Sequence, residues 1–77
     1  MKQGTLVRDL KTGRMVIRYS LEEYSDGLHC GTALEVKVGN HWKKTRIEHN
    51  GSDWYLPGIH TNNLEGLSVR KETYEKY

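Results

Sequence analysis

The side chains in this chain with the most reactive chemistry are Cys30 and four histidines, His29, His41, His49 and His60. Thiolate and imidazole together can complete the tetrahedral shell of zinc. His29, Cys30 and His60 are the candidate ligands, although no Cys-x-x-Cys or His-x-x-x-His pair presents two of them together. In an extended segment the adjacent His29 and Cys30 point to opposite faces, so they can chelate together only from a loop. The alternative for Cys30 is to pack as a small hydrophobe. A nucleophilic Cys/His pair would need a lowered thiol pKa and a third group to orient the imidazole, and no motif around Cys30 supplies either. The sequence therefore predicts no catalytic residue and no enzyme. Zinc is the one cofactor to test for.

A second constellation interleaves aromatic and basic residues: Trp42, Lys43, Lys44, Arg46 and Tyr55. Cations along a strand with an aromatic platform are what single-stranded nucleic acid requires, since phosphates take the charge and bases stack on the rings. With a period of two, Trp42, Lys44 and Arg46 share one face, and Lys43, Thr45 and Ile47 the other. The same pattern also describes an ordinary solubilised strand face. A third group, Glu22, Glu23, Tyr24, Ser25 and Asp26, forms an acidic segment whose tyrosine could anchor a protein interface. The protein-binding candidates are Glu22, Glu23, Tyr24, Trp42, Lys44 and Arg46.

These residues must be positioned by short strands. Apolar periodicity is strand-like throughout, and no window has helical spacing long enough to bury a face. Residues 5–9 and 15–19 read as a hairpin about Lys11-Thr12-Gly13, with Met15, Ile17 and Tyr19 on one face and Val16 and Arg18 on the other. Residues 20–31 break the pattern and read as a mobile loop with at most one helical turn at 20–23. Residues 32–38 alternate cleanly, Leu34, Val36 and Val38 against Ala33, Glu35 and Lys37. Gly39-Asn40 and Asn50-Gly51 are turn signals that bracket the Trp42 segment and return the chain through Trp54 and Tyr55. Residues 58–63 are turn chemistry, and 64–70 supply a closing strand. The expected fold is all-β, a small SH3-like barrel of five or six short antiparallel strands in meander order. An OB-like barrel is second choice, because no helix lies between the third and fourth strands. One domain spans 1–70, followed by a frayed charged tail at 71–77.

Charge is segregated along the chain although the net is only +2, from 12 basic and 10 acidic residues. Lys2, Arg8, Lys11, Arg14 and Arg18 precede an acidic block of Glu22, Glu23, Asp26 and Glu35, and Lys37, Lys43, Lys44 and Arg46 follow it. The folded surface should carry one basic and one acidic patch, without the overall basicity of a dedicated nucleic-acid binder. A single cysteine, the absence of an apolar leader and the absence of a spanning run point to a soluble cytoplasmic protein with no membrane partner.

The segments Gly4-Thr5-Leu6-Val7, Gly27-Leu28-His29-Cys30-Gly31, Trp42 with Thr45-Arg46-Ile47-Glu48, Trp54-Tyr55-Leu56 and Leu64-Glu65-Gly66-Leu67 with Val69-Arg70 resemble a family of short Gram-positive bacterial proteins. That family is uncharacterised, and its members are often carried on conjugative elements and prophages. The resemblance implies a mobile-element origin and is compatible with inhibition of host defence, anti-CRISPR proteins included. The expected function is thus a non-enzymatic protein-binding module, an inhibitor of a host defence nuclease, with a host or element-encoded protein, alone or within a nucleoprotein, as partner. The alternative is a small nucleic-acid-binding barrel. Monomer and homodimer are both open, because an exposed hairpin edge can continue its sheet into a second copy.

Overall fold

The computed structural model describes residues 1–61 and 63–72. Among the described residues seven strands form, in the order β1 (Lys2–Arg8), β2 (Met15–Arg18), β3 (Ala33–Val38), β4 (His41–Arg46), β5 (Glu48–His49), β6 (Trp54–Tyr55) and β7 (Ser68–Lys71). Five make an antiparallel sheet in the order β2-β1-β7-β3-β4, and β5 and β6 make a separate two-stranded sheet. The protein is therefore all-β, with the architecture of a small β-barrel.

The alternation of apolar and polar residues decides the faces. Leu6, Met15, Ile17, Leu34, Val36 and Val69 lie on the inner face of the large sheet and are buried. Leu28, Ile47, Leu56 and Leu64 close over them from the connecting segments and complete one apolar cluster. Tyr19, Trp54, Ile59 and Leu67 pack at its margin. This is the route by which a chain without phenylalanine fills a core: branched aliphatic layers with aromatic residues at the rim.

The order differs from a simple meander, because β7 inserts between β1 and β3 and pairs with both. The closing strand also begins at Ser68 rather than at 64, since residues 64–67 form a turn closed by a hydrogen bond from Leu67 N–H to Leu64 C=O. The same device precedes β3, where Thr32 N–H bonds to His29 C=O. In both places the next bonds split across two residues: Gly31 N–H donates to Ile47 C=O while Ile47 N–H donates to Thr32 C=O, and Gly66 N–H donates to Leu6 C=O while Leu6 N–H donates to Leu67 C=O. These are β-bulges with glycine at the left-handed position, Gly31 at φ 87 and Gly66 at φ 93. Each bends a strand at its start, which is how so short a sheet curls over its core.

Residues 20–31 are fastened rather than loose. Ser25 N–H donates to Ile17 C=O, Leu28 N–H donates to Met15 C=O, and Ile17 N–H donates to the Ser25 hydroxyl, so the segment lies along the free edge of β2. Residues 19–23 close as a reverse turn through the Tyr19 N–H bond to Glu23 C=O, in place of a helical turn. The physical reason is that β2 would otherwise present an unpaired edge. Of the predicted tail, Lys71 ends β7 and Glu72 is exposed, while residues 73–77 lie outside the described residues, as does Asn62 among the predicted turn residues 58–63.

Candidate functional site

The hairpin of β3 and β4 turns through Gly39 and Asn40 and pairs Lys37 with Trp42, Glu35 with Lys44 and Ala33 with Arg46. All six side chains stand on the outer face of the sheet. Next to them β7 places Arg70 opposite Glu35. Arg70 donates from Nε to the Glu35 carboxylate at 2.8 Å, and its Nη2 lies 2.6 Å from the same oxygen. Glu35 is the one buried charged residue among those described, at 8% exposure. The Arg70 guanidinium lies 4.4 Å from the centroid of the Trp42 ring. The indole thus has on its face a cation that is itself fixed to Glu35 across two strands, a preorganised aromatic platform.

The outward backbone of β4 belongs to the same site. Ile47 N–H donates to Thr32 C=O, and in an antiparallel pair bonded positions recur every second residue. Thr45, Lys43 and His41 therefore turn their amides toward β3, and Arg46, Lys44 and Trp42 turn theirs away from the sheet. Among the described residues no group bonds to those outward amides. Arg46 is paired with Glu48 at 2.6 Å, whereas Lys37, Lys43 and Lys44 form no ion pair among the described residues.

The structure separates the two halves of the predicted protein-binding surface. Tyr24 bridges to Arg18 on β2, and the Arg18 guanidinium lies 5.7 Å from its ring. Tyr24 therefore shares the outer face with Trp42, but lies one step beyond the opposite end of the strand order, about 24 Å along the sheet at the usual strand spacing. Glu22 is exposed, and Glu23 is ion-paired with Lys2, whose ammonium also sits over the Tyr19 ring at 4.5 Å. Burial pushes the Tyr19 phenol above its ordinary pKa, against the pull of Lys2.

The second predicted platform, Tyr55, lies in β6 and not beside Trp42. Asn50-Gly51 closes only the two-residue hairpin of β5 and β6, with Glu48 opposite Tyr55 and His49 opposite Trp54. That hairpin is docked on the turn of β1 and β2: the Trp54 Nε1 donates to Gly13 C=O at 2.8 Å, and Arg8 Nη2 donates to Asp53 Oδ1 at 2.9 Å. His49 meets Trp54 edge to face at 4.7 Å. The zinc candidates are also dispersed. His29 and Cys30 ride the exposed turn at 29–32, and His60 lies beyond β6. Among the described residues no three His, Cys, Asp or Glu side chains converge as a metal shell would require.

Asp53 offers a pH test of this docking. Its carboxyl is held below the ordinary value, first by the Arg8 hydrogen bond and then by the Trp54 N–H. A carboxyl lowered in the folded state contributes stability that is present above the unfolded value of about 3.9. That contribution is lost as pH falls through the lowered folded value. Asp53→Asn should therefore flatten the acid limb of a melting-temperature profile. A variant profile parallel to the parent's would show that the Arg8 contact is not coupled to folding.

The fold and this face define a small all-β barrel carrying a cationic edge hairpin. Residues 4–71 match the profile of the family described as Domain of unknown function (DUF5348), and the chain belongs to that family. It is also similar to a Ruminococcus gnavus protein whose crystal structure was solved by the Northeast Structural Genomics Consortium. The two share 50% identity and superpose with a TM-score of 0.82, covering 88% of this chain and 97% of the other. No curated protein matches the chain. Among the described residues no helix is long and apolar enough to cross a membrane.

Sequence reasoning missed Glu35 and Arg70 as parts of the platform. The one available signal was an acid at the centre of a cleanly alternating strand. Its partner lies 35 positions away and becomes visible only once β7 is known to pair with β3.

Proposed function

We propose that this protein is a non-enzymatic, cytoplasmic protein-binding module whose principal contact surface is the hairpin bearing Trp42, Lys44 and Arg46. The observation that carries this reading is the Trp42 indole beneath the Arg70 cation of the Glu35–Arg70 pair, on an edge strand whose outward amides have no partner among the described residues. Aromatic and Arg side chains held rigidly supply most of the energy of protein interfaces, because little rotamer entropy is lost on binding. Tyr24 and Glu22, at the far end of the same sheet, are a second contact for a partner large enough to span it. The narrower form, inhibition of a host defence nuclease by a mobile-element protein, draws its support from the family resemblance of the sequence.

A nucleic-acid-binding role is the second reading, favoured by Arg18, Lys37, Lys44, Arg46 and Arg70 sharing one face, where Glu35 opposes Arg70 and Glu48 opposes Arg46. A pull-down from a nuclease-treated Gram-positive bacterial lysate at two salt concentrations separates them. A specific protein retained at the higher salt is the expected result. Recovery that vanishes with nuclease, or falls steeply with salt as counterion release demands, would sink the protein reading and promote the other. Metal content of the same preparation tests zinc at His29, Cys30 and His60.

A further inference from the structure

We infer that β4 is a docking edge for an extended, acidic segment of the partner protein, which adds to the sheet as a sixth strand beside Trp42, Lys44 and Arg46. The inference deepens the protein-binding reading and rests on it.

Three observations carry it. First, the two edges of the large sheet are treated differently. That of β2 is covered by residues 24–28 through backbone and serine hydrogen bonds, while the outward amides of β4 have no partner among the described residues. An edge with open donors and acceptors is the template for strand addition. Second, its charge selects the occupant. The strand reads His41-Trp42-Lys43-Lys44-Thr45-Arg46, with cations on both faces. A second copy added antiparallel about Lys44 would set that lysine directly opposite its own counterpart about 5 Å away, with the copy's Arg46 on the diagonal, which is destabilising. Self-pairing is therefore disfavoured, and a strand with Glu or Asp opposite Lys44 and Arg46 on the outer face is favoured. Third, the aromatic platform adjoins the outward backbone at Trp42, so an apolar residue of the incoming strand would meet the indole as its acids meet Lys44.

The test uses the intact protein and a synthetic probe, a ten-residue peptide of Val and Thr that carries on one face a Leu for the indole followed by Glu at the next two positions of that face. Binding is read by amide chemical shifts. The controls are the same peptide N-methylated at the amides of one edge and a thymidine oligonucleotide of equal charge. The expected result is shift changes centred on the Trp42, Lys44 and Arg46 amides, with affinity lost at least tenfold on N-methylation. Lys44→Pro should abolish binding without unfolding the protein, because the amide it removes faces away from the ladder. Lys44→Gln should weaken binding several-fold by charge alone. Equal affinity for the N-methylated peptide would overturn strand addition, and so would tighter binding of the oligonucleotide. No binding at about 1 mM, the weak end of specific affinities, would overturn it as well. The lysate pull-down repeated with Lys44→Pro distinguishes the two failures. A partner still retained by Lys44→Pro sinks the docking edge and leaves protein binding standing; no partner retained by the parent protein sinks both.

Discussion

Replacing Arg70 with Met is expected to destabilise the domain by about 2–3 kcal/mol and to loosen Trp42 in the same step. Removing one partner of a fully buried ion pair costs roughly 3–5 kcal/mol, because the remaining charge is stranded without water. The Glu35 side chain is 10% exposed and so nearly meets that condition, but the Arg70 side chain is 34% exposed, which lets some water in and lowers the figure. In a domain of this size the melting temperature should fall by roughly 10–20 °C. The indole also loses the cation on its face, so Trp42 fluorescence should shift toward that of a solvent-exposed ring. Thermal melts and emission spectra check both. The double variant Glu35→Met with Arg70→Met separates a stranded charge from lost packing, since replacing both members of a buried pair is often near neutral. If Arg70→Met melts within a degree or two of the parent, Glu35 is hydrated and the platform is not preorganised.

The sequence carried the local elements and left out the pairings between distant ones. Strands β2, β3 and β4 follow from alternation, and Met15, Ile17, Leu34 and Val36 fall inside as that alternation requires. The shared face of Trp42, Lys44 and Arg46 follows for the same reason, since period two is a property of any strand. What alternation cannot reveal is which strand lies beside which. The insertion of β7 between β1 and β3 is a long-range choice, and on it depend the burial of Glu35 and the seat of Trp42. The grouping of Tyr55 with Trp42 failed at Asn50-Gly51, a true turn signal that closes a separate two-stranded sheet. Likewise Gly31 falls within the expected loop and Gly66 within the expected closing strand, and the bulges they make are defined by bonds to Ile47 and Leu6, remote in sequence. The acidic segment was legible as a break in pattern. Its attachment to the edge of β2 was not, because Ser25 and Leu28 carry no mark of the partners they bind.

Gly4→Ala should also destabilise the domain, by about 3 kcal/mol, which is the upper part of the range for overpacking. The opposing effect is definite in sign: exchanging glycine for alanine in a strand reduces the freedom of the unfolded chain and, without steric conflict, stabilises by roughly 0.4–1 kcal/mol. Here the conflict dominates. A Cβ at Gly4 would stand 2.5 Å from the Arg18 carbonyl oxygen and 2.7 Å from Ile17 Cγ2. The first obstacle is backbone, which cannot rotate out of the way as a side chain can. Nor can β1 retreat, since Gly4 is opposite Val69 on the β7 side and Thr5 is opposite Arg18 on the β2 side. Relief must come from opening the β1–β2 pairing, where Leu6 and Ile17 lie in the fully buried core. Gln3→Ala, one residue earlier and exposed, serves as the control and should change little. Denaturant unfolding of the two variants reads the difference. A Gly4→Ala protein as stable as the parent would mean that β1 and β2 splay apart at this end, and that Tyr19 and the Lys2–Glu23 pair beyond it are not held by the sheet.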